Sequence, residues 1–307
     1  MTIRENDYTD FARTGPDTLA GRYMRSFWQP IFIGRELEAG RAVPIRVMSE
    51  DYTLYRGEGG QAHLVGFRCA HRGTQLSTGW AEGDGIRCFY HGWKYDGTGQ
   101  CIEQPAEEEG FARKVRINSY PTQEYLGLIF AYLGEGLPPE LPRCPDFESD
   151  GVTTITGYLR HCNYFQNLEN VCDEVHVAFT HRDSEFGVHG LYVVPEVWGE
   201  ESDWGVSIYA KRPNDMVRVT QFGMPNILNV AGSPTTDESG WEDFIAWRVP
   251  IDDTMHRSFN VHIAHVTGVA ADRYREHQVE RRKNRPPESA WDIGEKVLHG
   301  ELTMEEV

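Results

Sequence analysis

The sequence of 307 residues predicts an α+β protein with two domains, an all-β domain at residues 1–150 and a mixed domain at residues 151–307. Three observations predict this organisation. Short apolar stretches separated by glycine and proline fill the first half, which is typical of strands and turns. A proline-rich passage at residues 134–148 then breaks any regular element and marks the boundary. Beyond it, a helical stretch precedes strands with period-two alternation.

The individual elements follow from these patterns. In the first domain, the apolar stretches Phe27–Ile33, Val43–Met48 and Leu64–Phe67 predict strands. In the second, Val152–Arg160 predicts a strand, and residues 163–179 predict a helix. Antiparallel, half-buried strands are predicted by two alternating sets, Trp204, Val206, Ile208 and Ala210, and Phe259, Val261 and Ile263. The charged stretch from residue 272 to 307 is helical in character and is interrupted by Pro286 and Pro287.

Composition excludes several classes of function. The net charge of −17 opposes binding to a phosphate backbone, so no nucleic-acid partner is expected. No apolar run approaches the roughly 18 residues that span a bilayer, and the first residues lack the apolar region of a secretory signal. We therefore expect a cytoplasmic protein without a membrane partner. Its six cysteines are too few for a disulfide scaffold, and four of them, Cys101, Cys144, Cys162 and Cys172, are interpreted as small buried apolar residues.

The other two cysteines belong to a candidate metal centre. Cys69 and His71 are followed after 16 residues by Cys88 and His91, with glycines at Gly73, Gly92 and Gly97 that permit tight turns. Each of the two predicted loop tips offers one thiolate and one imidazole. Zinc fingers instead pair cysteine with cysteine and histidine with histidine. The mixed pairs favour a two-iron cluster with both thiolates on one iron and both imidazoles on the other.

A second candidate centre lies in the predicted helix. Asp173 and His176 are about 60° apart around an ideal helix and share a face, whereas His176 and His181 are about 140° apart. The helix must therefore bend or unwind for both rings to reach one ion. Two histidines with an open coordination side suit mononuclear Fe(II) in a site of two histidines and one carboxylate.

Both motifs resemble one family. CAHRG followed by CFYHGWKYDGTGQC resembles the Rieske [2Fe–2S] motif of the Rieske non-haem iron, or ring-hydroxylating, oxygenases. The order Asn170-x₂-Asp173-x₂-His176-x₄-His181 is similar to the iron-site motif of the same family. The spacing in LENVCDEVHVAFTH most resembles the homotrimeric phthalate and vanillate-demethylase branch.

The resemblance implies fold, cofactors and partners. It implies a Rieske domain followed by a helix-grip catalytic domain, in which an antiparallel sheet wraps a long helix. Cys69, His71, Cys88 and His91 would hold the cluster and His176 and His181 the iron, while Asp173 would bridge to a cluster histidine of the neighbouring subunit. A reductase or ferredoxin would deliver electrons from NAD(P)H, and the protein would assemble as a trimer or a dimer of trimers. With O₂, it would hydroxylate or oxidatively O-demethylate an aromatic substrate, an aromatic acid in this branch.

The third iron ligand is left open by the sequence. Family members provide a carboxylate from a C-terminal helix, and this chain ends at LHGELTMEEV, so we expect either a chain cut short or an iron completed otherwise. Asp252 and Asp253 are interpreted as turn residues, and Glu305 and Glu306 lie too near the end to be held rigidly.

Two other functions remain open at this point. The chain is alternatively a Rieske electron carrier fused to a ligand-binding helix-grip domain, or an interaction module with zinc at both sites. Residues 204–218, 222–230 and 244–248 are expected to line a substrate pocket. Within them, Arg218 or Arg248 is a candidate for pairing with a substrate carboxylate.

Overall fold

The structure is a computed structural model that describes residues 11–181, 193–213, 217–236, 240–283 and 288–307. The N-terminal half contains one helix and eleven short strands, namely α1 Leu19–Arg25, β1 Gln29–Ile33, β2 Ala42–Val47, β3 Glu50–Arg56, β4 Ala62–Gly66, β5 Trp80–Glu82, β6 Gly85–Arg87, β7 Lys94–Asp96, β8 Cys101–Glu103, β9 Ser119–Tyr120, β10 Thr122–Tyr125 and β11 Leu128–Ala131. They form three antiparallel sheets with the strand orders β1-β11-β10, β2-β3-β4-β9 and β5-β6-β7-β8.

The C-terminal half is built on one antiparallel sheet of seven strands. Its elements are β12 Val152–Arg160, α2 Tyr164–Cys172, α3 Val177–Thr180, β13 Glu196–Glu201, β14 Gly205–Lys211, β15 Val217–Gly223, β16 Ile227–Thr236, β17 Gly240–Pro250, β18 His256–Ala264, α4 Gly268–Lys283 and α5 Ala290–Leu298. The strand order is β12-β18-β17-β16-β15-β14-β13. The α+β architecture predicted from the sequence is confirmed. Among the described residues, no helix is long and apolar enough to cross a bilayer.

The two faces of this sheet contact different parts of the protein. Ile245 and Trp247 of β17 pair with Val261 and Phe259 of β18, so these four side chains lie on one face. They are buried in a core that includes residues of β1 and β11, and the Phe130 ring lies 5.5 Å from the Trp247 ring between centroids. The opposite face carries the hydrogen bonds to the segment that includes α2 and α3, described below.

The predicted strands match the structure closely, whereas the predicted helix does not. The strand at Val152–Arg160 has the predicted ends, and the alternating residues lie in β14 and β18 except Trp204, which precedes β14. The stretch predicted as one helix is divided into α2 and α3 by an extended residue, Asp173, with φ −89° and ψ 105°. The interruption at Pro286 and Pro287 lies outside the described residues.

The proline-rich passage connects the halves without a helix or strand, apart from one 3₁₀ turn at Pro145–Glu148. Its backbone is attached to β10, because the Cys144 amide donates to the Tyr125 hydroxyl over 2.6 Å. The apolar core described above contains residues from both sides of it. The boundary near residue 150 stays a prediction.

Candidate metal centres

The first cysteine–histidine pair lies in a loop of five residues that closes on itself. The Cys69 amide donates to the Thr74 carbonyl over 2.8 Å, and the Gly73 amide donates back to the Cys69 carbonyl over 2.9 Å. Arg68 donates from Nη1 to the Gly73 carbonyl over 2.8 Å. Gly73 has φ +73°, a conformation that favours glycine, so the turn depends on this residue.

The second pair lies in a loop with the same hydrogen bonds. The Cys88 amide donates to the Trp93 carbonyl over 2.8 Å, and the Gly92 amide donates to the Cys88 carbonyl over 3.1 Å. Arg87 donates from Nη1 to the Gly92 carbonyl over 2.8 Å, and Gly92 has φ +72°. The signal for this shared backbone is present in the sequence as Arg-Cys-x₃-Gly, which occurs at 68–73 and 87–92, but it was not recognised.

The four candidate ligands meet as two like pairs. Cys69 and Cys88 are both buried, with 3% and 2% of their surface exposed, and proximity to Cys88 adds to burial in raising the pKa of the Cys69 thiol. The His71 and His91 rings lie 4.5 Å apart between centroids. His71 Nδ1 is buried and has no hydrogen-bond partner among the described residues. Paired thiols, paired imidazoles and a buried unpaired ring nitrogen fit a two-iron cluster.

Tyr95 hydrogen-bonds to one of the paired thiols. Its hydroxyl lies 3.3 Å from Cys69 Sγ and accepts the Ala70 amide over 3.1 Å. Because the Ala70 amide uses an acceptor site on the phenol oxygen, the phenol hydrogen is left for the sulfur. Burial raises the pKa of Tyr95 above its usual range, so the phenol stays protonated. The sequence analysis missed this residue, because the contact joins chain positions 26 residues apart.

Gly97 and Cys101 also lie near this centre. A side chain at Gly97 would collide with the ring of His63, so the glycine is required for close packing rather than for a turn. Cys101 is buried as predicted, whereas Cys144, Cys162 and Cys172 are only partly buried; all four thiols are free.

The second candidate centre is shaped by the break between α2 and α3. The Asp173 carboxylate accepts the Val175 and His176 amides over 2.8 and 3.3 Å, which holds the turn that precedes α3. The prediction that Asp173 and His176 share a helix face is wrong, because Asp173 is extended and ends α2. His176 and His181 flank the single turn of α3, and their ring centroids are 5.4 Å apart. The chain unwinds before His176 rather than between the two histidines.

The two imidazoles are suited to bind a metal as neutral rings. His176 Nδ1 is in hydrogen-bond contact with the Asp173 carbonyl oxygen, so Nδ1 donates and Nε2 keeps the lone pair for a ligand. Burial lowers the pKa of His181, and the neighbouring His176 and Arg218 lower it further.

No third iron ligand is found. In the described part of the chain, no group of three or more His, Cys, Asp or Glu side chains could hold one metal ion. Asp252 accepts the Thr254 and Met255 amides in a turn, and Asp253 accepts the Thr14 amide. Glu306 binds the Thr303 amide at the surface. The first centre is compatible with this result, because each iron of a two-iron cluster takes only two protein ligands.

The two arginines proposed for a substrate carboxylate differ in environment. Arg218 donates from Nη1 to both oxygens of Glu174, over 3.0 and 3.1 Å, so a carboxylate of the protein already occupies it. Arg248 is buried and donates from Nη1 to Asn260 over 2.9 Å, while its Nε has no hydrogen-bond partner among the described residues. Burial lowers the pKa of Arg248 to about 10. Among the described residues, no carboxylate lies within ion-pair distance of Arg248, whereas Arg218 is paired with Glu174.

Comparison with known proteins places these features in context. The model of the Rieske [2Fe-2S] domain family matches residues 27–121. The chain is 34% identical over 269 residues to the phenoxybenzoate dioxygenase subunit alpha of Ectopseudomonas oleovorans, covering 79% of this chain and 64% of that one. It is 37% identical over 187 residues to the 5,5'-dehydrodivanillate O-demethylase oxygenase subunit of Sphingobium sp., covering 59% and 44%. The chain thus spans less than two thirds of these relatives.

A solved structure agrees in fold. The reduced complex between oxygenase and ferredoxin in carbazole 1,9a-dioxygenase superimposes with a TM-score of 0.67 at 21% identity, covering 86% of this chain and 77% of the other. At this identity the similarity shows the fold alone. It agrees with the predicted succession of a Rieske domain and a catalytic domain.

The hydrogen bond from Tyr95 predicts a change in reduction potential. The hydrogen bond from Tyr95 to a cluster sulfur stabilises the reduced cluster, which carries more negative charge. Tyr95→Phe removes this bond. A bond worth about 1 kcal/mol corresponds to a potential lower by roughly 40 mV for one electron. Redox titration followed by the visible spectrum measures this, with Tyr23→Phe, at an exposed position of α1, as the matched control. Equal potentials in the two variants would rule out the proposed bond.

Removal of one candidate iron ligand is expected to remove only the mononuclear iron. His176→Ala is expected to lose mononuclear iron and to keep the visible spectrum of the cluster, because the two centres share no residue. Metal analysis and absorption spectroscopy of the same sample test this, with the exposed His299→Ala as control. Bleaching of the cluster in the His176 variant would contradict the assignment of two separate centres.

Proposed function

Because the chain belongs to the Rieske non-haem iron oxygenase family, we propose that it is the terminal oxygenase component of a two-part enzyme system. The observation that carries this proposal is the presence of two centres in one chain, the paired loops of Cys69, His71, Cys88 and His91 and the histidines His176 and His181. When bound, the cluster supplies single electrons and the iron binds and activates O₂. The named relatives are oxygenase subunits, which favours this function over a Rieske electron carrier.

The cysteine side and the histidine side of the first centre differ in their exposure to solvent. Cys69 and Cys88 are buried, which keeps water away from the sulfur side. His91 is exposed, and the adjacent Phe89 and Tyr90 are exposed as well. The imidazole side of the centre therefore lies at a surface where a partner can contact it. Exposed aromatic residues at such a site are typical of an interface.

The surface beside the second centre carries a carboxylate and exposed apolar side chains, which can contact the exposed His91 region. The Asp173 side chain is 51% exposed, and Val175 and Phe179 beside it are exposed apolar residues. We infer that this surface of one subunit packs against the exposed His91 region of the next. Asp173 then accepts a hydrogen bond from a cluster histidine of the neighbour while it also accepts the Val175 and His176 amides of its own subunit. Such a heterologous contact closes into a ring, and a trimer or a dimer of trimers is the assembly we propose.

An electron donor and an aromatic substrate complete the proposal. The donor is a reductase or a ferredoxin that draws on NAD(P)H, in line with the oxygenase–ferredoxin complex that shares this fold. The named relatives act on phenoxybenzoate and dehydrodivanillate, which supports an aromatic acid as substrate and either ring hydroxylation or O-demethylation as the reaction. Arg248, buried on the catalytic sheet with an unpaired Nε, is the candidate partner of the substrate carboxylate.

The metal content tests the proposal first. Anaerobically purified protein is expected to contain three irons and two acid-labile sulfides per chain, because cluster and catalytic iron add together. Metal analysis with a sulfide assay gives this ratio directly. Two irons with two sulfides would leave the cluster alone and support an electron carrier. A colourless protein that contains zinc would overturn both functions.

Asp173 provides a second test. Asp173→Asn is expected to keep both metal centres but to lose electron transfer between subunits. An amide still accepts hydrogen bonds, but it lacks the negative charge with which Asp173 would hold His176 and a cluster histidine of the neighbouring subunit. Reduced enzyme is mixed with O₂ and substrate, and reoxidation of the cluster during a single turnover is followed by its visible absorption. The exposed Asp203→Asn is the control. Coupled turnover retained in the Asp173 variant would exclude the bridge.

A further inference from the structure

Glu174 is a buried acid placed between two exposed positions of the chain. Its side chain is 1% exposed, whereas its neighbours Asp173 and Val175 are exposed. The extended backbone at Asp173 turns successive side chains in opposite directions. The residue that follows the proposed bridging carboxylate is thus directed into the protein.

Three side chains surround the Glu174 carboxylate, two from β15 and one, Arg212, from the residue that follows β14. Arg218 donates to both oxygens over 3.0 and 3.1 Å, and Thr220 donates from its hydroxyl over 2.8 Å. Arg212 lies 3.7 Å away through Nη2, and its side chain is 1% exposed. Among the described residues, no other carboxylate lies within ion-pair distance of either arginine. Two cations and one anion therefore form a buried cluster with an uneven charge.

The contacts of Glu174 attach the break between α2 and α3 to the sheet. Arg218 and Thr220 belong to β15, in the middle of the sheet, and α2 ends one residue before Asp173. The four residues from Asp173 to His176 are therefore held between the end of α2 and β15. The Asp173 carboxylate accepts the Val175 and His176 amides within these residues, so its position relative to His176 depends on where Glu174 is held.

We propose that Glu174, bound by Arg218, Thr220 and Arg212, is a positioning residue that fixes the Asp173–His176 junction for electron entry from the neighbouring subunit. The inference rests on the proposed function, because it assigns a role to the junction between two subunits of an oxygenase. Glu174 does not touch a metal or a substrate in this role. It acts through the backbone that carries Asp173 and His176.

The role is separable from simple stabilisation. A residue needed only for folding would affect stability and function to the same extent. A positioning residue affects the geometry of the junction even in a protein that is folded and fully loaded. The Glu174→Gln variant removes the anion beside Arg218 and the buried Arg212, so it is paired with Glu174→Gln/Arg218→Gln, which restores the net charge of the wild-type cluster. Glu169→Gln makes the same chemical change at an exposed position of α2 and is the matched control.

Four measurements on the whole chain are expected to separate the variants. Amide hydrogen exchange at Val175 and His176 becomes faster in Glu174→Gln and stays unchanged in Glu169→Gln. The electron paramagnetic resonance spectrum of the nitric oxide adduct of the mononuclear iron changes shape in Glu174→Gln. The single-turnover rate of cluster reoxidation falls by about 10- to 100-fold with an unchanged KM for substrate. In the double variant the thermal midpoint returns toward the wild-type value while this rate stays low.

The outcomes distinguish failure of this inference from failure of the proposed function. If the rate and the thermal midpoint recover together in the double variant, Glu174 serves only charge balance and the inference is overturned. If Glu174→Gln matches Glu169→Gln in exchange and in the nitric oxide spectrum, the inference is also overturned. If the wild-type protein shows no reoxidation with any aromatic acid, the proposed function fails, and amide exchange still tests whether Glu174 holds the junction.

Discussion

The alternation of side chains across the seven-stranded sheet is the constraint on which the packing of the two halves and the position of the second centre depend. Ile245, Trp247, Phe259 and Val261 occupy one face and pack against β1 and β11 of the N-terminal half. Burying such large apolar side chains stabilises the contact by roughly 1.5–3 kcal/mol each. The register across β15, β16 and β17 aligns Thr220 with Val230 and Phe244, so Thr220 and Arg218 lie on the opposite face from Ile245. The sheet thereby places the charged residues that hold Glu174 on the side away from this core.

The charged side of the sheet explains why the helix breaks where it does. The Glu174 carboxylate must reach β15, and the Asp173 carboxylate must turn back to accept the Val175 and His176 amides. The ion pair with Arg218 and the hydrogen bond with Thr220 require burial of Glu174. The extended backbone at Asp173 meets both demands, and the lost helical hydrogen bonds are replaced in part by the Asp173 carboxylate at the start of α3. The contact of Glu174 with β15 therefore outweighs the tendency of the local sequence to continue the helix.

Features that depend on neighbouring residues in the chain could be predicted from the sequence. The strand at Val152–Arg160 and the close approach of the His71 and His91 rings follow from local patterns and spacing. The break at Asp173 could not be predicted, because the partners of Glu174 lie 44 and 46 residues further along the chain. The bond between Tyr95 and Cys69 was missed for the same reason. Periodicity shows which side chains are apolar, but it does not show which strand a lone acid or phenol will meet.

The two loops of the first centre show how a difference in sequence spacing produces a useful asymmetry. Both loops share one backbone hydrogen-bond pattern, yet the histidine stands two residues after Cys69 and three after Cys88. His71 consequently stacks on Trp93 with ring planes 9° apart, whereas His91 reaches the surface. The partly buried His71 is held by this stacking contact, and the exposed His91 can accept a partner. The thiols remain under the protein surface with Tyr95, so the exposed route out of the centre runs through His91. An acid that is to connect this centre with a second one must come from outside the chain's own loop, and the exposed carboxylate of Asp173 has the charge and the accessibility for that contact.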